Sequence, residues 1–206
     1  MSLTMGDKLK KLSENSNFRM NLIQKLDYVD RKISNWIAEK SAKYQKITNF
    51  LALSGNFQPW IIISLIFFIF GVFLDRTENL VQITLLLITG IFTTIVKYTV
   101  KRRRPRENIS AKYIGKIDFW SFPSGHAGRM GSLALLLSLF YPPLSPLFIL
   151  WCLGVCYARI ALQIHYFFDV IAGFLIGIIV ACAGYLMFGY LSTLYHPLVQ
   201  WVDAFL

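Results

Sequence analysis

Ala158-Arg159-Ile160-Ala161-Leu162-Gln163-Ile164-His165-Tyr166-Phe167-Phe168-Asp169 places an arginine, a histidine and an aspartate between two long apolar runs. The run before covers about Leu147–Leu162, and the run after covers about Phe167–Leu191. Each approaches the ~20 residues with which a helix crosses a bilayer, so the stretch reads as the connection of a membrane helical hairpin. Ionisable groups at the edge of a bilayer are expensive, and a cluster of them marks a functional site by default. His165 and Asp169 are four apart, which on a helix puts them on one face within hydrogen-bonding reach. A carboxylate on one imidazole nitrogen fixes the tautomer and leaves the other nitrogen as base or nucleophile. A structural His–Asp pair has the same spacing, so this stretch alone leaves both readings open.

Working outward, the same apolar character extends over most of the chain. Of 206 residues, 55% are hydrophobic and 16% aromatic, outside the range of an ordinary soluble domain. Further runs at about Phe57–Leu74, Leu80–Val100 and from Ser124 or His126 to Tyr141 bring the expected spans to about five. Gly55 to Pro59, Asp75-Arg76-Thr77-Glu78-Asn79, the basic connection Lys101 to Ser121 and Pro142-Pro143-Leu144-Ser145-Pro146 separate them. Gly173, Gly177 and Gly184 let the last span pack closely. The fold class is thus an all-α, polytopic membrane helix bundle over 57–191, the expected catalytic domain.

Residues 1–56 precede it. Met1 to about Asn21 is polar, reads as loosely ordered, and lacks the apolar core of a signal peptide or first span. From Leu22, the apolar positions Leu26, Val29, Ile33, Trp36, Ile37, Tyr44, Ile47 and Leu51 recur at helical spacing. They predict amphipathic helices in the membrane interface, with Trp36 and Tyr44 at headgroup level; a soluble helix packed on the domain is the alternative. Residues 192–206 form a short interfacial tail.

Net charge is +10, with ten of 21 basic residues in the first fifty positions and eight between Lys97 and Lys116. Anionic lipid headgroups are a nearer partner for such patches than nucleic acid. Five alternating spans put the N-terminal segment, the basic connection and the His165 turn on one face, which the positive-inside rule assigns to the cytoplasm. Cys152, Cys156 and Cys182 fall in apolar runs and read as small buried hydrophobes. With no His or acid nearby, Cys152 and Cys156 do not read as a zinc site.

Three segments on that face carry polar chemistry: Lys97-Tyr98-Thr99-Val100-Lys101-Arg102-Arg103-Arg104-Pro105, Pro123-Ser124-Gly125-His126, and Arg159 to Asp169. A helix opening at Ser124-Gly125-His126 directs free N–H groups and positive dipole at an anion. Lysine and arginine supply point and forked charge to phosphate oxygens. Two histidines and an aspartate suit a covalent mechanism with a nucleophile and a separate acid.

Together these segments resemble the type 2 phosphatidic acid phosphatase superfamily, whose signature has the form K-x6-R-P, P-S-G-H and S-R-x5-H-x3-D. Here it reads Lys97-x6-Arg104-Pro105, Pro123-Ser124-Gly125-His126 and Arg159-x5-His165-x3-Asp169. Of the basic run, only Arg104 satisfies both the spacing and the following proline. The resemblance implies a membrane lipid phosphatase acting on phosphatidate, phosphatidylglycerophosphate or a polyprenyl diphosphate. It implies His165 as a nucleophile giving a phosphohistidine, Asp169 as its orienting partner and His126 as general acid. Lys97, Arg104, Ser124, Gly125 and Arg159 would hold the phosphate, and no metal or other cofactor is implied. Two departures stand out. Ala158 replaces the usual serine, removing one hydroxyl contact, and the first of the usual six spans is missing, its place taken by the amphipathic N-terminus. In six-span bacterial relatives the site usually faces outward, so the charge argument above separates this chain from them. A vanadate-type haloperoxidase shares the phosphate constellation but is generally soluble. A non-catalytic membrane protein binding anionic lipid through its basic face is the reading from a different class.

Overall fold

The computed structural model describes residues 5–71, 75–106 and 119–205, with backbone only over 5–20. Its elements are α1 (Met5–Ser41), α2 (Gln45–Ser54), α3 (Phe57–Phe70), α4 (Arg76–Val100), α5 (Gly125–Phe140), α6 (Ser145–Ala161), α7 (Phe167–Leu186) and α8 (Phe188–Phe205). Short 3-10 turns at Ala42–Tyr44 and Pro142–Leu144 lead into α2 and α6. No strand occurs among the described residues.

The boundaries follow local chemistry. Asp75 caps α4 by accepting from the Thr77 N–H, and Glu78 returns a bond to the Asp75 N–H, a reciprocal capping box. Asp75–Asn79, expected as a turn, is therefore mostly the first turn of α4. Ser124 caps α5, accepting from Ala127 N–H at 3.4 Å. Pro146 sits in the first turn of α6, where its missing N–H costs nothing. From Met5 onward, the expected loosely ordered start is instead continuous with α1, and residues 7–41 contain neither glycine nor proline to interrupt a helix. The last apolar run breaks at Met187, earlier than the expected Leu191, and α8 then runs through Pro197.

Among the described residues, Arg76–Val100, Pro142–Ala161 and Phe167–Leu186 are long and apolar enough to cross a membrane. Asn21–Ser54 and Phe57–Phe70 pass together as a pair bent by 53°. The third expected span, from Ser124 or His126 to Tyr141, is α5, which has only 16 residues and is mostly buried by its neighbours rather than presented to lipid. Its Ala127, Met130, Leu133, Ala134 and Leu137 pack with Leu86 of α4, Cys152, Val155 and Ile160 of α6 and Val170 of α7. Small residues make this possible: a Cβ on Gly177 would lie 2.0 Å from the Gly128 carbonyl oxygen. Outward, Leu87, Ile88, Ile91, Phe92 and Ile95 of α4 and Leu175 and Ile179 of α7 are exposed, an apolar belt that suits acyl chains. Cys182 belongs to this exposed surface, whereas Cys152 and Cys156 are buried as expected.

At the end away from the His165 turn, Arg76 caps the carbonyls of Phe68 and Ile69 and pairs with Asp203. Thr84 meets Tyr195 at 2.5 Å, so α8 is tied to the lower half of α4. The protein is an integral-membrane helix bundle.

Candidate active site

Each chemistry-bearing residue sits at or just beyond a helix end, and all are at one end of the bundle. Lys97 is buried in the last turn of α4. Lys101 then takes the left-handed conformation, with φ 52°, and releases the chain into a non-helical segment carrying Arg102 and Arg104. At the other approach, α6 ends at Ala161 and Gln163, with φ 54°, reverses the chain. The amides of Ile164 and His165 both donate to the Arg159 carbonyl, at 3.1 and 3.2 Å. This knot turns the His165 side chain into the interior, where it is fully buried.

The His165 ring is held in one tautomer. Its Nδ1 lies 2.7 Å from the Ser121 carbonyl, which only accepts, so Nδ1 carries the proton. Arg104 Nη1 donates to the Ile164 carbonyl at 2.9 Å and lies 3.4 Å from His165 Nε2. Nε2 thus keeps its lone pair and faces a cation. Burial first, then the charges of Arg104, Lys97 and Arg159, hold the imidazole well below its usual range. The neutral, nucleophilic form therefore persists as pH falls through the ordinary histidine value. The sign for folding is the reverse: the unfolded chain takes up this proton first, so stability declines on the acid side.

The expected direct His165–Asp169 bond is not made. His165 precedes α7 instead of sharing a helical face with Asp169, and Nδ1 stands 3.9 Å from Oδ2. Asp169 instead meets Ser121, whose hydroxyl donates to Oδ2 while its carbonyl accepts from His165 Nδ1–H. Oδ2 also accepts from the Tyr166 N–H at 2.9 Å, and Oδ1 pairs with Arg102 at 2.6 Å.

The second histidine is built differently. Ser124 N–H donates to the Asp169 carbonyl at 2.8 Å, which seats the start of α5 against α7. His126, in the first turn of α5, has Nδ1 2.8 Å from Arg159 Nη2 and Nε2 3.1 Å from Asn56 Oδ1. A guanidinium only donates, so Nδ1 accepts and Nε2–H is directed at Asn56. Arg159 is almost wholly buried, with Nη1 3.5 Å from the Ala52 carbonyl. Arg129, one turn further along α5, stacks over Phe57 at 5.4 Å. All eight residues singled out from the sequence thus stand in one cluster: Lys97, Arg104, Ser124, Gly125, His126, Arg159, His165 and Asp169. Among the described residues, no three His, Cys, Asp or Glu side chains are grouped to hold a metal ion.

The sequence profile of the PAP2 superfamily matches residues 78–192, more than half of the chain and all three motif segments. The chain belongs to the PAP2 superfamily. Among curated relatives it is 31% identical, over 139 residues, to an undecaprenyl-diphosphatase of Sulfolobus acidocaldarius. That match covers 62% of this chain and 63% of the relative, so it leaves more than a third of the relative's length unmatched. Among solved structures, the fold is similar to a transmembrane PAP2-type phosphatidylglycerolphosphate phosphatase from Bacillus subtilis. There the TM-score is 0.61 at 19% identity, covering 77% of this chain and 84% of that one. It is also similar to LpxE of Aquifex aeolicus, with a TM-score of 0.57 at 22% identity, covering 74% and 92%.

Ser121 and Asn56 escaped the sequence reading of this PAP2 chain. Ser121 closes the basic connection and holds His165 mostly through its carbonyl, which no side-chain pattern encodes. Asn56 lies in the expected Gly55–Pro59 break, but its contact with His126 spans 70 positions. The rest of the basic connection, including Lys112 and Lys116, lies outside the described residues.

Proposed function

We propose that this PAP2 protein is a membrane lipid phosphatase that hydrolyses a phosphomonoester or diphosphate of a lipid through a phosphohistidine. The observation that carries the reading is His165: a buried neutral imidazole with its proton held on Nδ1 and its Nε2 lone pair beside Arg104. Nε2 attacks phosphorus as the bond to the leaving oxygen breaks, and His126, which takes up a proton beside the anionic phosphate of the substrate, gives it to that oxygen. Water, deprotonated by His126, then attacks the phosphohistidine; the P–N bond breaks and inorganic phosphate leaves. Lys97, Arg104, Arg159, Ser124 and the Gly125 backbone hold the non-bridging oxygens and offset charge developing on them, the role metal ions fill in other phosphatases.

The substrate class follows from the site's placement at one end of a lipid-facing bundle, beside the curated relative's named diphosphate substrate. Phosphatidate, phosphatidylglycerophosphate and a polyprenyl diphosphate all combine a phosphoryl group at the interface with chains in the bilayer. The test is phosphate release by purified protein in mixed micelles across that panel, with and without EDTA. Release from at least one lipid, undiminished by EDTA, is the expected result. Silence across the panel would favour an anionic-lipid-binding protein without catalysis.

Residues 57–191 form the catalytic domain of the proposed enzyme, with 1–56 and 192–206 as interfacial flanks. The basic N-terminal segment binds anionic lipid, and the exposed Trp36 and Tyr44 sit at headgroup level. The protein belongs to a prokaryotic cell membrane, with the site facing the cytoplasm. Ten cations in the first fifty residues support that side independently of the catalytic loop. In a Ser13→Cys variant on a Cys182→Ser background, an impermeant thiol reagent is expected to leave Ser13→Cys unmodified in sealed cells and to modify it after lysis. Labelling of intact cells reverses the assignment.

A further inference from the structure

The N-terminal helix reaches into the site by a route that the family signature does not contain. The first N–H groups of a helix have no partner within it, and in α7 those of Phe167 and Phe168 are satisfied from α1. Phe167 N–H donates to Ser34 Oγ at 2.9 Å, and Phe168 N–H donates to Asp30 Oδ1 at 2.8 Å. The other Asp30 oxygen lies 2.7 Å from Arg102 Nη2, and Asp30 is completely buried. Arg102 spends its second nitrogen on Asp169 Oδ1 at 2.6 Å, and its guanidinium lies over the Tyr166 ring at 4.1 Å. Asp27 adds a longer contact to Arg102, at 3.1 Å.

We propose that Asp30 is a positioning residue for the phosphoryl-transfer site, acting through Arg102 on Asp169 and so on the Ser121–His165 pair. The proposal rests on the phosphatase reading. The contacts form one chain, each fixing the next. Asp30 is anchored by the Phe168 amide and fixes Arg102. Arg102 occupies Asp169 Oδ1, which leaves Oδ2 to the Ser121 hydroxyl and the Tyr166 amide. Ser121 then presents its carbonyl to His165 Nδ1. Without the Asp30 charge, Arg102 is drawn to the two remaining carboxylates, and Asp27 is half-exposed and differently placed. A guanidinium that swings toward Asp27 lets Asp169 turn, and the ring of His165 loses its fixed direction. The chain acts on the direction of His165 and leaves the charges of Lys97, Arg104 and Arg159 in place, so substrate binding is spared.

The decisive variant is Asp30→Asn, whose amide oxygen still accepts from Phe168 N–H but brings no charge to Arg102. Displacements of about 1 Å at a reacting group cost on the order of 100-fold, so kcat is expected to fall roughly 10- to 100-fold with KM nearly unchanged. Arg102→Met is expected to show a similar loss, and adding Asp30→Asn to it should cost nothing further, because both act on one path. Wild-type kcat in Asp30→Asn, a loss confined to KM, or additive losses in the double variant would each overturn the proposal. One arm needs no turnover: Asp30→Ala should speed hydrogen exchange at the Phe168 amide. Unchanged exchange would break the link between α1 and α7 even if the wild type released phosphate. Absence of phosphate release by the wild type, with exchange responding as expected, would instead locate the failure in the phosphatase reading.

Discussion

His165→Ala is expected to reduce phosphate release to background, a loss of about 10⁴-fold or more, because it removes the atom that forms the covalent intermediate. The argument is geometric before it is electronic. The Ser121 carbonyl holds the Nδ1 proton at 2.7 Å, so Nε2 is the nitrogen left to react. The side chain is fully buried, which limits a replacement water's access to the same position. The cations remain in the variant, so it should still bind lipid phosphate, and the loss falls on kcat. Rapid quenching with radiolabelled lipid should trap an acid-labile, base-stable phosphoenzyme in the wild type and none in the variant. Turnover by His165→Ala within tenfold of wild type would remove the nucleophile from the mechanism.

The second large effect needs no polar group at all. Gly173→Ala should both destabilise the protein and disable the site. A Cβ at position 173 would stand 2.2 Å from the Ser124 carbonyl oxygen and 3.1 Å from the Ser124 nitrogen. These are backbone atoms and cannot rotate away. Helix propensity favours alanine over glycine by up to about 1 kcal/mol, whereas overpacking a tight contact costs about 1–3 kcal/mol. The clash wins. To relieve it, α7 must move off the start of α5, next to the 2.8 Å bond from Ser124 N–H to the Asp169 carbonyl. A separation near 1 Å is enough for about a 100-fold loss in rate. Gly189→Ala, where an added Cβ meets nothing within 4 Å, is the control and should leave both properties unchanged. A lowered melting temperature and lowered phosphate release are the expected readings for Gly173→Ala. Normal values for both would mean the helices are not packed as described.

Those two positions also mark what could be read from the chain alone. Spacing put Gly173 and Gly177 on a packing face, and the motifs put His165, His126 and their cations at one membrane edge. Both follow from periodicity and from residue types whose burial is costly without a use. What periodicity could not supply was the hand-off between Asp169 and His165. A spacing of four suggested direct contact on a helix, but the helix starts at Phe167, and a serine backbone carbonyl takes the bond instead. Nor could it show that α5, the helix with the proposed phosphate-binding start, is shielded on most sides. Its short apolar run resembles a lipid-facing span until the neighbouring helices are in place. Asp30 and Ser34 lie among the apolar positions of the predicted amphipathic segment, and only the fold reveals that they cap another helix.

The bond between Phe168 and Asp30 joins residues 138 positions apart, and that separation sets a timetable for biosynthesis. At roughly 5–20 residues per second, α1 leaves the ribosome many seconds before α7 exists to receive it. Throughout that interval the Asp30 carboxylate has no amide to meet, and the helix's apolar side has no domain to cover it. Asp30 can therefore take its place against the start of α7 only after the last hairpin has been made. The proposed catalytic end is therefore completed late in synthesis: a chain interrupted before Phe167 carries Lys97, Arg104, Arg159 and both site histidines but lacks Asp169.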